Sequence, residues 1–175
     1  MRLLWLTLLL TAGCTDGWWT QDDTQETGDT APVDDGCPDD MDPARIGMVT
    51  FSQMIFDGVG LNVGFNNSLQ YNGKPVACVG PTAVQFLSYL DDEPFAWFYI
   101  EPEQTGSFNV GGTGVVTVID VIGGNSPTLF ANSDFTGGTF TVYDVGNQHT
   151  GQITNGAAVN NLHNIALSIS YEFQP

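Results

Sequence analysis

The two histidines are the side chains of this sequence best suited to acid–base or metal chemistry, since imidazole titrates near neutral pH and binds metal ions. His149 and His163 lie fourteen residues apart in Asn- and Gly-rich sequence. With Asp144 they could hold a metal ion if the two segments paired, although separate surface histidines are the more ordinary interpretation. We therefore predict no metal site and no cofactor.

Carboxylates are the second candidate chemistry, because glycoside hydrolases use a pair of them. The segment from Arg45 onward carries ten acids: Asp57, Asp91, Asp92, Glu93, Glu101, Glu103, Asp120, Asp134, Asp144 and Glu172. No G-x-S-x-G, H-E-x-x-H or C-x-x-C spacing accompanies them. We predict no catalytic residue, and a carboxylate-dependent hydrolase is kept as the alternative.

Aromatic side chains offer binding rather than catalysis, because rings on an exposed sheet face can stack on sugars. The relevant set is Trp97, Tyr99, Tyr89, Tyr143 and Tyr171. Core packing is expected to account for most of these rings. We take Trp97 and Tyr99 as the candidate ligand-binding residues.

Short strands must position these residues, because 21 glycines and only 13% charged residues favour turns and strands over helices. Apolar residues alternate most clearly in the last segment, from Ile165 to Phe173. About ten strands are predicted, at 46–56, 59–65, 76–79, 84–90, 95–100, 107–110, 115–122, 128–131, 139–145 and 165–173. The predicted fold is an all-β antiparallel sandwich over residues 44–175, with a closed barrel as the alternative.

Two of these strands, 84–90 and 95–100, flank an acidic turn and predict an antiparallel hairpin. Its rings Phe86, Trp97 and Phe98 are expected to meet across the core. The run 115–122 is apolar on both faces and is expected to lie inside a sheet, apart from Asp120. If buried, this carboxylate needs a partner, and Arg45 or backbone amides are available.

The N-terminal residues describe an export signal. Arg2 precedes an apolar run that is too short to span a bilayer, and the small residues Ala12 and Gly13 stand directly before Cys14. The order Leu-Thr-Ala-Gly-Cys over 10–14 resembles the lipobox of bacterial lipoproteins, except that Thr11 stands where an aliphatic residue is usual. The resemblance implies removal of residues 1–13 and lipidation of Cys14. An ordinary signal peptide cut near Gly13 is the alternative.

The resemblance also bears on location, since inner-membrane retention in this family usually needs an aspartate directly after the cysteine. Thr15 occupies that position and Asp16 follows it, so the resemblance implies the outer membrane. The sequence from Gly137 to Val142 and the closing strand are weakly similar to the β-domains of small Gram-negative lipoproteins. This similarity supports an all-β domain and implies no particular activity.

Residues 14–43 are predicted to be a disordered acidic tether. They contain ten acids and no Lys or Arg, so self-repulsion and scarce aliphatic residues oppose folding. A calcium site is the alternative, but the spacing of a D-x-D-x-D-G loop is missing. Trp18 and Trp19 could settle at the lipid headgroups or be simply exposed.

The remaining cysteines follow from the lipobox resemblance. With Cys14 acylated, Cys37 and Cys78 are left as a pair in an oxidising compartment, and we predict a disulfide between them. This bond would pin the base of the tether to the domain.

The formal charge of −17 limits the partners of the protein. Beyond the leader, Arg45 and Lys74 are the only basic side chains, so the surface repels phosphate backbones and anionic headgroups. We predict no nucleic-acid partner, and membrane attachment through the lipid alone. The favoured function is a lipoprotein that displays its sandwich for binding or adhesion to a glycan or envelope protein. A hydrolase or a purely structural envelope protein are the alternatives.

Overall fold

The computed structural model describes residues 36–123, 127–146 and 148–175. The leader, Cys14, Trp18 and Trp19 lie outside these residues. Fifteen strands occur in the described part of the chain: β1 (Asp42–Pro43), β2 (Ile46–Phe56), β3 (Val59–Gly60), β4 (Val63–Phe65), β5 (Gln70–Tyr71), β6 (Lys74–Pro75), β7 (Ala77–Val79), β8 (Val84–Leu90), β9 (Glu93–Pro102), β10 (Gly106–Asn109), β11 (Val115–Val121), β12 (Thr128–Phe130), β13 (Phe135–Asp144), β14 (His149–Val159) and β15 (Asn164–Gln174).

Two antiparallel sheets contain nearly all of these strands. The first has the order β1-β7-β8-β9-β11-β12, with β4 also paired to β8, and we call it sheet A. The second, sheet B, has the order β10-β13-β14-β15-β2-β3, and β5 and β6 form a separate hairpin. A 3-10 turn, Asn132–Asp134, precedes β13. No helix among the described residues has the length and apolar character needed to cross a membrane.

Aromatic rings from both sheets form the centre of the core. Phe86 of sheet A stacks on its cross-strand neighbour Phe98, with ring centroids 4.9 Å apart. Phe86 also contacts Tyr171 and Phe173 of sheet B, at 6.3 and 5.4 Å. One apolar cluster therefore joins the inner faces of the two sheets, as in a β-sandwich.

The predicted sandwich is confirmed, and the closed barrel is wrong, because each sheet has edge strands that do not pair with each other. The predicted hairpin is also present, since Phe86 pairs with Phe98 in the β8–β9 register. The prediction that Trp97 joins these rings in the core is wrong. Side chains alternate along a strand, so Trp97 points to the opposite face of sheet A from Phe98.

Two strand predictions also differ from the structure. The segment 59–65 forms two strands in different sheets, because β3 pairs with β2 whereas β4 pairs with β8. The eleven-residue strand β14 was not predicted at all. Its inward positions include Gly151, which resembles a turn signal in the sequence. A Cβ there would lie 2.7 Å from the hydroxyl of Tyr171, so the ring requires the glycine.

The predicted disulfide between Cys37 and Cys78 is present, with Cα atoms 5.8 Å apart. The residues next to it in the chain also belong to the fold. Met41 is 6% exposed and packs with Cys78, and β1 pairs with Cys78 and Val79 of β7. The folded unit therefore begins before residue 44, where we placed its start, because the disulfide and this pairing hold residues that we assigned to the tether.

Replacing both cysteines, as Cys37→Ser with Cys78→Ser, should lower the free energy of unfolding by about 4 kcal/mol, because the bond closes a loop in the unfolded chain. The cysteines are 41 residues apart in sequence. Chemical denaturation of the oxidised protein and of the double variant measures the difference. Two free thiols in the unreduced wild-type protein, detected by mass spectrometry, would contradict the pairing.

Candidate functional site

The candidate binding residues Trp97 and Tyr99 lie on the same side of β9. Phe98 and Ile100, between and after them, are fully buried in the core, so alternation turns Trp97 and Tyr99 to the outer side of sheet A. Both are half-buried. We call this outer surface around Trp97 and Tyr99 the aromatic face.

Both rings have packing contacts as well as accessible area. Trp97 packs against the cluster of Val76, Leu87 and Tyr89. Tyr99 packs against a different small cluster, formed by Met41, Cys78 and Ala83 around the disulfide. These contacts already hold the two rings in fixed positions. Binding of a ligand would therefore cost little side-chain conformational entropy.

Hydrogen-bond acceptors surround the aromatic face. The hydroxyl of Tyr99 donates to Oε2 of Glu101 at 2.7 Å. Burial, with Glu101 as a further cause, raises the pKa of Tyr99 well above its ordinary value, so the hydroxyl keeps its proton. Gln85 faces Tyr99 across the β8–β9 register, is only 3% exposed, and its Oε1 has no hydrogen-bond partner among the described residues. An unpaired buried acceptor is costly, and the fold encloses this oxygen, so it lies out of reach of a ligand.

Asp120 also lies on this side of sheet A, opposite Trp97 in the β9–β11 register. Desolvation raises its pKa above the ordinary value of 3.8. Neither Arg45 nor any other cation pairs with it among the described residues. Asp120 is half-buried, so the partner that a fully buried carboxylate would need is not required here.

A concavity of about 490 Å³ lies where β9 ends and β11 begins, lined by Thr82, Glu101, Glu103 and Val116 among others. Glu101 connects it to the aromatic face through the bond to Tyr99. Asp120 is four residues from Val116 along β11, which corresponds to about 13 Å of extended strand. The carboxylate with a raised pKa is thus separated from the two that line the concavity.

The other aromatic residues do not extend this face. Tyr171 is 3% exposed and lies in the core between the sheets. Tyr89 is 7% exposed and packs against Tyr71, with ring centroids 5.6 Å apart; burial raises its pKa to about 12. Tyr143 is 56% exposed but belongs to sheet B. The five aromatic residues therefore lie in three places: Trp97, Tyr99 and Tyr89 on the outer side of sheet A, Tyr171 in the core, and Tyr143 on sheet B.

The two histidines are also held apart. His149 begins β14, opposite Phe173, whereas His163 follows the other end of that strand. Eleven residues of strand separate the two ends by about 33 Å. Within the described ranges, no three His, Cys, Asp or Glu side chains form a group that could hold a metal ion.

His163 forms an arrangement that the sequence did not reveal. Its Nδ1 lies 2.7 Å from Oδ2 of Asp57, and its ring stacks on Phe56 with centroids 5.4 Å apart. The other carboxylate oxygen of Asp57 accepts from the backbone amide of Asn164. These bonds lower the pKa of Asp57, with the His163 hydrogen bond as the largest cause. The pair joins the β2–β3 turn to the β14–β15 turn, which are more than 100 residues apart in sequence.

His149 is 1% exposed, and its Nε2 has no hydrogen-bond partner among the described residues. Burial lowers its pKa below the ordinary value of 6.5. Below pH 6.5, His149 therefore binds a proton more readily in the unfolded chain than in the folded protein. The free energy of unfolding falls as a result.

As the pH falls from 7.5 to 5.5, the unfolding midpoint should thus decline less in His149→Phe than in the wild-type protein. Urea titrations at both pH values measure the two declines. His163→Gln is the control. It leaves His149 in place, so its unfolding midpoint should fall with pH as much as that of the wild-type protein. Equal declines in the wild-type protein and His149→Phe would contradict the burial argument.

Comparison with known protein families finds no model that matches this chain. No curated protein and no solved structure matches it significantly. The function must therefore be argued from the residues themselves.

Proposed function

We propose that the protein is a lipid-anchored module of the bacterial cell envelope, and that it binds a glycan at its aromatic face. The observation that carries the proposal is the position of Trp97 and Tyr99, which alternate onto one side of sheet A beside the carboxylate of Glu101. Rings of this kind stack on the apolar faces of sugars, and acceptors bind sugar hydroxyls.

The chemistry of the face favours a neutral glycan. Its polar groups are chiefly acceptors, namely the carboxylates Glu101 and Asp120. The chain has a formal charge of −17, which disfavours the approach of polyanions. A neutral sugar supplies hydroxyl donors without this repulsion. The alternative partner is an envelope protein whose contact surface is uncharged and donates hydrogen bonds.

The anchor part of the proposal rests on the leader and on the lipobox-like residues that end at Cys14. Lipidation there would attach the protein to a membrane without the help of basic residues, since this acidic chain has only three Lys and Arg in all. Thr15 after the cysteine supports the outer membrane as the location. The acidic residues that follow would act as a spacer, up to the point where Cys37 is bonded to Cys78.

The hydrolase alternative rests on Asp120, because a raised pKa is typical of a carboxylic acid that donates a proton in catalysis. A glycosidase needs a second carboxylate nearby, at a separation that suits attack on the sugar. The other two carboxylates of this region, Glu101 and Glu103, line the concavity where β9 ends and β11 begins, about 13 Å of strand away from Asp120. We therefore favour binding over hydrolysis.

Radioactive palmitate supplied to cells that express the protein should label the wild-type chain and not Cys14→Ser, because the thiol is the acylation site. Membrane fractionation should recover the wild-type protein with the outer membrane and release the variant. An unlabelled wild-type protein of unchanged glycan affinity would refute the anchor and leave the binding proposal intact.

A glycan array probed with the full-length protein should identify a neutral ligand, and Trp97→Ala should weaken its binding by about tenfold, as expected for the loss of one stacked ring. Trp97 also packs in the fold, so Glu101→Gln provides a milder variant that should weaken binding without unfolding. Glu103→Gln is the matched control and should bind like the wild-type protein.

An array without any bound glycan would contradict the binding proposal. Cleavage of the bound glycan, lost in Asp120→Asn, would establish the hydrolase instead.

A further inference from the structure

The outer face of sheet B carries a row of uncharged polar side chains that crosses five strands. Ser107 pairs with Thr141, Thr141 with Gln152, Gln152 with Ser170, and Ser170 with Thr50. Each of these residues is followed in its strand by an apolar side chain that packs in the core, so all five point outward. We call these five residues the polar row.

The polar row is accessible. Ser107, Ser170 and Thr50 are exposed, and Thr141 and Gln152 are half-buried. A long contact of 3.4 Å joins the hydroxyls of Ser107 and Thr141. No side-chain hydrogen bond of the other three is found within the described ranges. Neighbouring strands lie about 4.8 Å apart, so the row spans about 19 Å.

Further uncharged groups extend this surface. A second row of Asn109, Thr139 and Thr154 runs beside the first, one alternation further along the strands. On the other side of Thr141, along β13, Tyr143 is 56% exposed. The face thus combines an exposed ring with parallel rows of groups that both donate and accept hydrogen bonds.

Charge sets this face apart from the rest of the chain. The formal charge of the protein is −17, yet neither row contains an ionisable group. The nearest carboxylates are Glu172 and Asp144, which flank Thr150 in the register and lie one alternation from the polar row, toward the end of the sheet that holds His149. Glu172 accepts a hydrogen bond from the side chain of Gln148.

We propose that the polar row and Tyr143 bind an extended, uncharged polysaccharide, with sugar hydroxyls bonded along the row and one sugar ring stacked on Tyr143. A regular row of hydroxyl and amide groups complements a polymer with regularly repeating hydroxyls. A second copy of this chain is the less favourable occupant, because it would bring another large negative charge to the contact. The site lies on the opposite sheet from Trp97 and does not depend on the aromatic face.

Affinity electrophoresis of the full-length protein in gels that contain hydroxyethyl cellulose, mannan or arabinoxylan tests the proposal. At least one of these polymers should retard the wild-type protein. Gln152→Glu should weaken the retardation by about tenfold, because it places an unpaired charge at the centre of the contact. Tyr143→Ala should weaken it as well.

The matched control is Gln104→Glu, which makes the same chemical change at an exposed position of the β9–β10 turn and should migrate like the wild-type protein after correction for charge in polymer-free gels. Trp97→Ala should retain the retardation, so failure of the aromatic-face proposal is distinguishable from failure of this one. Thermal unfolding of each variant confirms that it is folded.

Three outcomes would overturn the proposal. The first is that none of the three polymers retards the wild-type protein. The second is an equal loss of retardation in Gln104→Glu and Gln152→Glu. The third is a dimer, detected by analytical ultracentrifugation, that Gln152→Glu dissociates, since the face would then be an interface between copies.

Discussion

The contact of Phe86 with rings of both sheets is the interaction on which the rest of the structure depends. Phe86 stacks on Phe98 within sheet A and reaches Tyr171 and Phe173 of sheet B. Burial of these large rings removes more apolar area from water than smaller core residues do. Once their positions are fixed, the faces of β8, β9 and β15 are fixed as well.

The two outer surfaces follow from this inner packing. Because Phe98 faces inward, its neighbours Trp97 and Tyr99 must face outward on sheet A. Because Tyr171 faces inward, Ser170 must face outward on sheet B. The structure therefore presents chemically different outer faces: half-buried aromatic rings with acceptors on one sheet, and rows of hydroxyl and amide groups on the other.

The sequence predicted the strands whose apolar residues alternate, and β8 and β2 have the predicted bounds. It failed for β14, where glycine and asparagine occupy strand positions. Gly151 is needed beneath the ring of Tyr171, and Asn155 adopts a positive φ at the β-bulge before Gly156. Both residues resemble turn signals, and only their tertiary neighbours explain them. The pairing of His163 with Asp57 was also missed, because the two residues are far apart in sequence.

By itself, the sequence determined the all-β class and the β8–β9 hairpin, because alternation and turn chemistry are properties of short segments. It predicted the disulfide between Cys37 and Cys78 only because the lipobox resemblance set Cys14 aside. Only the tertiary structure decided which strands are neighbours. Thr50 lies beside Ser170, and Ser107 beside Thr141, so the polar row exists only after distant segments have paired. The physical reason is that alternation fixes the side of a strand locally, whereas burial of the core rings selects the strand order.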